Sequence, residues 1–388
     1  MLLKSIHGLE PGEVLARPLR RHGRREMLLA AGAVLDVATL ERLARIGIRQ
    51  AWIEHPGTEG VEDFLPAGLE TSRDDLADQA GPAMRAIAGT RNPGVAYEDM
   101  QAAVSAMVDE ANRDPGLARL VTEVAGSDDE DARHAVSVAH LSLLLGLLLK
   151  DRLAEARDRL SFKRATDLAP VALCGLLHDA GRLAEPCSED LEHPDVEAES
   201  PHCVAVRGLL DRVAPAPVVA GAVQHHQRYD GSGYPRMTDP RFHARSGEEI
   251  HIFARIVAVA DHFDRRRAAM PDESRLDTLR WMTDPNRAGW FDPWVLKALP
   301  VAAPPFPPGT LVTLSTGPRA VVLRVDAASP MRPLVRVLGR GGDGREVDLA
   351  AALDVTIVRH DGRPVPSDSE LPEILRTPRP DRADEQAA

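Results

Sequence analysis

Two pairs of adjacent ionisable residues, each at the end of an apolar run, constrain the fold of this chain more than any other sequence feature. His178-Asp179 follows the run Val171–Leu177, and His225-His226 ends a second run that begins near Val218. Burying an imidazole or a carboxylate without a partner costs free energy, so these pairs need partners in the folded protein. We therefore expect the fold to bring the two pairs to one shared site.

The spacing of apolar residues predicts a mostly α fold. Several segments carry apolar residues at helical intervals, or are apolar on nearly every face, which is typical of buried helices. These predicted helices are His134–Leu149, Leu168–Leu177, Val204–Val213, Val218–His226 and Glu249–Asp264. All of them fall within residues 121–300, which we expect to form one helical core.

The sequence of residues 1–57, before this core, predicts a small α+β module. Asp36 is a candidate N-cap for a helix with an apolar face, and Gly47 is a candidate residue to end that helix. The short apolar segment Arg49–Ile53 then predicts a strand.

A connector is predicted between this module and the core, and a β-rich module after the core. Residues 58–120 are acidic and rich in alanine, and we expect helices there with weak breaks at Gly81-Pro82 and at residues 92–94. After a cluster of prolines, residues 305–360 predict a small β-rich module, and residues 361–388 a disordered tail. The predicted strands are Thr310–Leu314, Arg319–Val325, Leu334–Leu338 and Thr356–Val358.

Charge and cysteine content exclude several classes of protein. The formal net charge of −12 argues against binding to duplex nucleic acid, which needs a basic surface. The three cysteines, at 174, 187 and 203, form no spaced framework, and we interpret them as small core or surface residues. No signal peptide and no run long enough for a membrane span is evident, so we expect a cytoplasmic protein.

The two polar pairs favour a metal site over a structural one. Imidazole and carboxylate groups are suitable ligands for first-row metals such as Fe, Mn or Zn. Adjacent residues on a helix point about 100° apart, so each pair reaches two metals only where two sites lie side by side. Two such ions, about 3.5–4 Å apart, can activate water and hold a phosphate during hydrolysis.

The residues around the pairs resemble the HD-GYP family. Residues 177–182, LHDAGR, resemble its LHDIGK signature, and residues 225–235 resemble its HHERxDGxGYP signature with Gln227 in the Glu position. Residues 255–261, RIVAVAD, resemble the family's ARIVAVAD helix, and residues 134–139, HAVSVA, resemble its first ligand helix, which begins HSxxVA. The resemblance implies an HD-type helical bundle core that holds two or three divalent metal ions, with Fe or Mn preferred.

The resemblance also implies a set of metal ligands. His202 is preferred to His193 because its separation from His225 fits the family pattern, and Glu130 is left open between a ligand for a third metal and an exposed acid. Asp264 is expected to contact a ligand instead of a metal. The implied ligands are Glu130, His134, His178, Asp179, His202, His225, His226 and Asp261. His140, His243, His251 and His262 are expected to be hydrogen-bonded core residues.

The activity that the resemblance implies is hydrolysis of a cyclic dinucleotide, with cyclic-di-GMP opened to linear pGpG, to GMP, or to both. Asp179 and Arg182 are the expected catalytic residues. The expected substrate contacts are Arg182, Arg228, Gly233 and Tyr234. Signalling proteins are expected to bind through the terminal modules, and a homodimer is left open.

Three departures from the family pattern keep alternatives open. Arg182 replaces the lysine of the first signature, and Gln227 replaces a glutamate near the expected metals. The RPYR segment that helps to hold cyclic-di-GMP in the family is absent after Asp264, where residues 265–267 are all arginine. The first alternative is a scaffold with weak or lost activity that binds nucleotides or proteins. The second is an HD phosphohydrolase that acts on mononucleotides or on another cyclic dinucleotide.

Overall fold

The computed structural model describes the chain in eight segments. They are residues 1–21, 26–65, 67–89, 93–113, 130–184, 201–235, 245–339 and 344–376. His193 and His243 lie outside the described residues, as does Cys187.

The N-terminal residues form a small α+β module, as predicted. Its elements are β1 (Leu2–Ser5), β2 (Leu19–Arg21), β3 (Glu26–Leu29), α1 (Val37–Arg45) and β4 (Gln50–Ile53). Strand β1 pairs with β4, and β2 pairs with β3, both antiparallel. The carboxylate of Asp36 accepts a hydrogen bond from the Thr39 amide at 2.7 Å, which caps α1. Gly47 follows the helix with a positive φ of 79°, a conformation that glycine adopts without strain.

Helices fill the middle of the chain. They are α2 (Ala67–Ala88), α3 (Pro93–Arg113), α4 (Glu130–Leu148), α5 (Lys150–Ala156), α6 (Phe162–Ala165), α7 (Ala169–Leu177), α8 (Pro201–Leu210), α9 (Ala216–Gln224), α10 (Ile252–Ala269), α11 (Arg275–Met282), α12 (Pro285–Ala288) and α13 (Pro293–Ala302). The mostly α prediction is confirmed. Among the described residues no single helix has the length and apolarity to cross a membrane, although α4 and α5 meet that test jointly across an 85° bend.

Close contacts at two glycines set the spacing of the central helices. A Cβ atom on Gly175 of α7 would lie 2.9 Å from the Cα atom of Ala139 in α4, so a larger residue would force these helices apart. A Cβ atom on Gly221 of α9 would lie 2.3 Å from the Cys174 sulfur atom in α7. Helices α4, α7 and α9 therefore pack together closely, and the polar pairs that follow α7 and α9 are brought near each other.

Helices α2 and α3 belong to the core, although the sequence predicted a connector there. Leu76, Met100, Val104 and Met107 are fully buried in the same apolar cluster as the central helices. Pro82 lies inside α2, so the predicted break at Gly81-Pro82 does not occur. The few large apolar residues of this alanine-rich segment recur at helical intervals, and this periodicity matters more than the low average hydrophobicity.

The C-terminal strands form one six-stranded antiparallel sheet with the order β10-β9-β5-β6-β7-β8. Its strands are β5 (Leu311–Leu314), β6 (Arg319–Arg324), β7 (Leu334–Val337), β8 (Glu346–Asp348), β9 (Ile357–His360) and β10 (Arg363–Pro364). Ala320 and Val322 of β6 pack in the helical core, whereas Val321 and Leu323 pack with Leu2, Trp52 and other apolar residues of the first 65 residues. The sheet therefore lies between the N-terminal module and the helices.

The prediction of a disordered tail is wrong for residues 361–376. This segment contributes β10, and Leu371 and Leu375 are buried in the apolar cluster of the helical core. The prediction rested on the abundance of prolines, arginines and acids. It gave too little weight to Leu371 and Leu375. Burying their apolar side chains is favourable even though the neighbouring residues in the sequence are polar. Residues 377–388 lie outside the described residues.

We expect Leu375→Ala to lower the free energy of unfolding by about 2–5 kcal/mol, because it removes a side chain that is 1% exposed. Leu353→Ala is the matched control, since Leu353 is 58% exposed, and its effect should stay within about 0.5 kcal/mol. Chemical denaturation of both variants measures the difference. Equal, small effects would contradict the packing of the C-terminal segment on the core.

Candidate metal centre

The carboxylate of Asp179 lies between two groups of imidazoles. Its Oδ2 atom is 3.6 Å from His178 Nε2 and 3.9 Å from His134 Nε2. Its Oδ1 atom is 3.5 Å from His202 Nε2 and 3.7 Å from His225 Nε2. One oxygen of Asp179 therefore faces each group, so this carboxylate could be shared by metal ions held in both groups.

The first group, which we call the first site, joins α4, the end of α7 and α10. His134 Nε2 is 3.0 Å from Asp261 Oδ1, and His178 Nε2 is 3.5 Å from the same oxygen. Asp261 and His178 are fully buried. The first site comprises His134, His178, Asp179 and Asp261.

The second site joins the same carboxylate to α8 and to the end of α9. The rings of His225 and His226 lie 3.9 Å apart, and both lie within 5.4 Å of the His202 ring, measured between centroids. A Cβ atom on Gly181 would lie 2.0 Å from the His202 carbonyl oxygen, so glycine at this position lets α8 approach the turn that carries Asp179. The second site comprises Asp179, His202, His225 and His226, with Cys203 in the same group.

Backbone carbonyl groups fix the orientation of two central imidazoles. His178 Nδ1 lies 2.7 Å from the Gly175 carbonyl oxygen, and His225 Nδ1 lies 2.6 Å from the Ala222 carbonyl oxygen. A carbonyl group only accepts hydrogen bonds, so Nδ1 carries the proton in each ring. The Nε2 lone pairs then point towards Asp179 and are available to a metal, as in most histidine ligands.

Asp264 orients the third imidazole. Its Oδ2 atom lies 2.8 Å from His134 Nδ1, and so it contacts a candidate ligand as the sequence suggested. Burial lowers the pKa of His134, but the carboxylates of Asp261 and Asp264 outweigh this and raise it to about 9. These acids therefore favour a positive charge at this place, either a proton on the ring or a cation between the ring and Asp261.

Several buried acceptor atoms in the two sites fit metal ions. In the described part of the chain, these atoms are buried and have no hydrogen-bond partner: His134 Nε2, His178 Nε2, His225 Nε2, Asp179 Oδ1 and Asp261 Oδ2. Buried acceptors this close to one another need a cation or protons between them. Imidazole nitrogens with carboxylate oxygens suit divalent first-row metals.

Arg265 bridges the two carboxylates, and the sequence did not predict this contact. Its Nη2 atom donates to Asp179 Oδ2 at 2.5 Å, and its Nε atom donates to Asp261 Oδ1 at 2.7 Å. Burial raises the pKa of Asp261, but Arg265 and the imidazoles of His134 and His178 outweigh this and hold it well below its usual range. The signal was available, since Arg265 lies one helical turn after Asp261.

Glu130 does not join either site. It is the first residue of α4, it is exposed, and it lines a small cavity with His7, Arg49 and Arg133. Although Glu130 lies one turn before His134 on the helix, its side chain faces the N-terminal module. Glu130 is outside the groups of candidate ligands found among the described residues, and its role as a ligand for a third metal stays a prediction.

The residues predicted to contact substrate lie in different environments: one borders the metal centre, one stacks on a candidate ligand, and one packs against a tryptophan. Arg182 Nη1 lies 3.7 Å from Asp179 Oδ2, at the edge of the metal centre. Tyr234 stacks on the His226 ring with 4.6 Å between centroids. Arg228 is buried and stacks on Trp290 at 3.5 Å, which is a packing contact.

Gly233 is required by the packing of its own loop. A Cβ atom there would lie 2.2 Å from the Arg228 amide nitrogen and 2.4 Å from the His226 carbonyl oxygen. The loop therefore folds back on the residues that follow the second histidine pair. This holds Tyr234 against His226, whose carbonyl oxygen accepts from the Tyr234 amide at 3.1 Å.

Gln227, which stands where the family pattern has a glutamate, forms hydrogen bonds with the backbone of two later residues. Its Nε2 atom donates to the Pro235 carbonyl oxygen at 3.0 Å, and its Oε1 atom accepts from the Arg245 amide at 2.8 Å. The side chain is buried and uses both a donor and an acceptor. A carboxylate could supply only the acceptor.

The chain is similar to known HD domain proteins and to known phosphodiesterases. Residues 156–295 match the family model described as an HD domain. A cyclic di-GMP phosphodiesterase of Pseudomonas aeruginosa is 29% identical over 343 residues, covering 79% of this chain and 77% of that protein. The 3'3'-cGAMP-specific phosphodiesterase 1 of Vibrio cholerae is 36% identical over 106 residues, covering 26% of this chain and 23% of that protein.

A solved structure of an HD-GYP-type protein is also similar. It is Bd1817, an HDG"Y"P protein from Bdellovibrio bacteriovorus, with a TM-score of 0.44 and 15% identity over 77% of this chain and 97% of that chain. His134 lies before the residues that match the HD domain family model, so that match does not cover it, and the 3.0 Å distance from its Nε2 atom to Asp261 places it beside the first site.

We expect Gln227→Glu to lower the free energy of unfolding by about 1–3 kcal/mol, because the new carboxylate would face the Pro235 carbonyl oxygen without a donor. Gln224→Glu is the matched control. The contact of Gln224 with the His251 amide, at 2.8 Å, uses only its oxygen, so that acceptor is kept. Chemical denaturation compares the two variants, and an equal loss of stability in both would contradict this role of Gln227.

We expect Arg265→Met to strengthen metal binding by about tenfold or more, because it removes hydrogen bonds to charged oxygens that a metal must replace. Arg266→Met is the control, since Arg266 pairs with Glu273 instead. Calorimetric titration of the metal-free proteins measures the change. Weaker binding by Arg265→Met than by the control would show that Arg265 supports the metals instead of competing with them.

Proposed function

Because the chain belongs to the HD-GYP type of HD domain proteins, we propose that it is a metal-dependent phosphodiesterase that hydrolyses a cyclic dinucleotide. The observation that carries this proposal is the position of Asp179, with one oxygen facing each of two groups of imidazoles. The relatives from Pseudomonas aeruginosa and Vibrio cholerae support the substrate class, since both are named cyclic dinucleotide phosphodiesterases.

The residues around such a centre would have different roles in the reaction. When bound side by side, two divalent ions would supply positive charge for phosphate oxygens and would lower the pKa of water towards neutral pH. His178 and His225 present unprotonated Nε2 atoms because carbonyl groups hold their Nδ1 protons. Asp179 is shared by both sites, which sets them side by side.

Two arginines border the centre where a phosphate would lie. Arg182 is within 3.7 Å of Asp179 and its side chain is 25% exposed, so it can reach a bound anion from the rim. A guanidinium group offers paired donors that match two phosphate oxygens. Arg265 donates to both carboxylates, and metal binding at those oxygens would release its donors towards the substrate.

Cyclic-di-GMP is the substrate that we propose within this class, with linear pGpG, GMP or both as products. The relative that spans most of this chain is named for that nucleotide, whereas the relative named for cGAMP matches a shorter part. Fe or Mn is the proposed metal, in two sites. We further propose a cytoplasmic enzyme whose terminal modules bind signalling proteins.

A second function is favoured by Arg265. A guanidinium group that already neutralises Asp179 and Asp261 could hold the centre in a metal-poor state. The family's RPYR segment is also absent after Asp264. The chain would then be a scaffold that binds the nucleotide and passes a signal on without hydrolysis.

Turnover of a nucleotide panel by metal-reconstituted protein separates the two functions. We expect hydrolysis of cyclic-di-GMP, with cGAMP and mononucleotides slower, and a loss of more than about 100-fold in Asp179→Asn. Asp211→Asn is the control, because it makes the same change at a half-exposed carboxylate outside both sites. Nucleotide binding by metal-loaded protein without any turnover would reject the enzyme and support the scaffold.

A further inference from the structure

We propose that the thiolate of Cys203 is a ligand of the second site, so that the two metal sites of this chain differ in ligand type. The inference rests on the proposed two-metal centre and goes beyond it, since from the sequence alone Cys203 is interpreted as a small core or surface residue. Cys203 lies on α8 directly after His202 and is fully buried. Its sulfur atom and the ligand nitrogens of His202, His225 and His226 all lie within 4.8 Å of one another.

The distance from the thiol to His202 fits shared coordination. The Cys203 sulfur atom lies 3.5 Å from His202 Nε2. Bond lengths of about 2.3 Å to sulfur and 2.0–2.1 Å to nitrogen, at bond angles of about 90–120°, place the two ligand atoms about 3.1–3.8 Å apart. The thiol and the imidazole are therefore already spaced as two ligands of one ion.

The neighbouring acceptor atoms point to a ligand in this place independently of the cysteine. His225 Nε2 and Asp179 Oδ1 are buried and lack hydrogen-bond partners. A thiol is a weak donor with one proton, so Cys203 cannot satisfy these acceptors together with His202. A cation bound by all of them would do so.

The other described cysteine has different surroundings. Cys174 lies on α7, and its sulfur atom contacts the backbone of α9 where Gly221 leaves room. It is fully buried in the apolar cluster, and burial raises the pKa of its thiol. Cys174 therefore behaves as a small apolar residue, whereas Cys203 lies among imidazoles.

A thiolate would make the second site softer than the first. The first site offers nitrogen and oxygen atoms only, which suit Mn²⁺ or Fe²⁺, whereas sulfur favours Zn²⁺ or Fe²⁺ over Mn²⁺. The thiol proton leaves to solvent when the metal binds. The chain would then select two different metals by ligand chemistry.

Cobalt substitution tests this assignment without relying on activity. Full-length metal-free protein is titrated with Co²⁺, and the near-ultraviolet band of a thiolate-to-cobalt charge transfer is followed together with binding stoichiometry. We expect the band in the wild type, in Cys174→Ala and in Cys187→Ala, and its loss in Cys203→Ala and Cys203→Ser. We also expect the two Cys203 variants to bind Zn²⁺ at one of the two sites at least about tenfold more weakly. Loss of a residue that only hydrogen-bonds to a ligand already lowers metal affinity by about tenfold or more.

The outcomes separate this inference from the proposed function. Two bound Co²⁺ ions in the wild type without the band would overturn the role of Cys203 and leave the two-metal centre standing. A band that persists in Cys203→Ala would overturn the assignment as well. Binding of no Co²⁺ would reject the centre and the ligand together. Absence of the band from the wild type decides against the inference even if a variant fails to fold, and a band that is lost in Cys203→Ser but kept in Cys174→Ala and Cys187→Ala supports it.

Discussion

The crowding of buried imidazoles around one shared carboxylate is the constraint on which the rest of this structure depends. Five rings and two carboxylates meet in the core, and several of their nitrogen and oxygen atoms have no hydrogen-bond partner. Removing such groups from water is costly unless positive charge compensates them. Asp179 connects the two halves of the cluster, since each of its oxygens faces a different set of rings.

Close helix packing makes this crowding geometrically possible. Gly175 and Gly221 let α7 approach α4 and α9, so the polar pairs at the ends of α7 and α9 lie side by side. Gly181 does the same for α8 and brings His202 to the second site. The apolar faces of these helices supply the burial, and the glycines set the distances at which the ligand atoms meet.

Much of this architecture could be predicted from the sequence because it depends on local patterns. Helical periodicity located the central helices, and the adjacent polar pairs at their ends indicated the centre. His134 and Asp261 came from the family resemblance, since a single polar residue in an apolar helix has no local signature of metal binding. The sequence could not show whether Glu130 is a ligand, because the direction of its side chain depends on how the N-terminal module packs against α4.

The features that the sequence missed all depend on contacts between distant segments. The burial of β6 on both faces follows from the N-terminal module lying on one side of the sheet. The hydrogen bonds of Gln227 require Pro235 and Arg245, 8 and 18 residues later in the chain, to lie beside it. The contact of Arg265 with Asp179 and the place of Cys203 beside the second site arise only when α10, α7 and α8 meet. No spacing rule within one helix shows these two features, whereas the contact of Arg265 with Asp261 follows from their separation of four residues.

Anomalous X-ray scattering from crystals of the metal-loaded protein tests the central claim most directly. The account expects two peaks about 3.5–4 Å apart on either side of the Asp179 carboxylate, one bordered by His134, His178 and Asp261 and the other by His202, His225 and His226. A single peak, or peaks away from Asp179, would contradict a shared carboxylate between two metal sites.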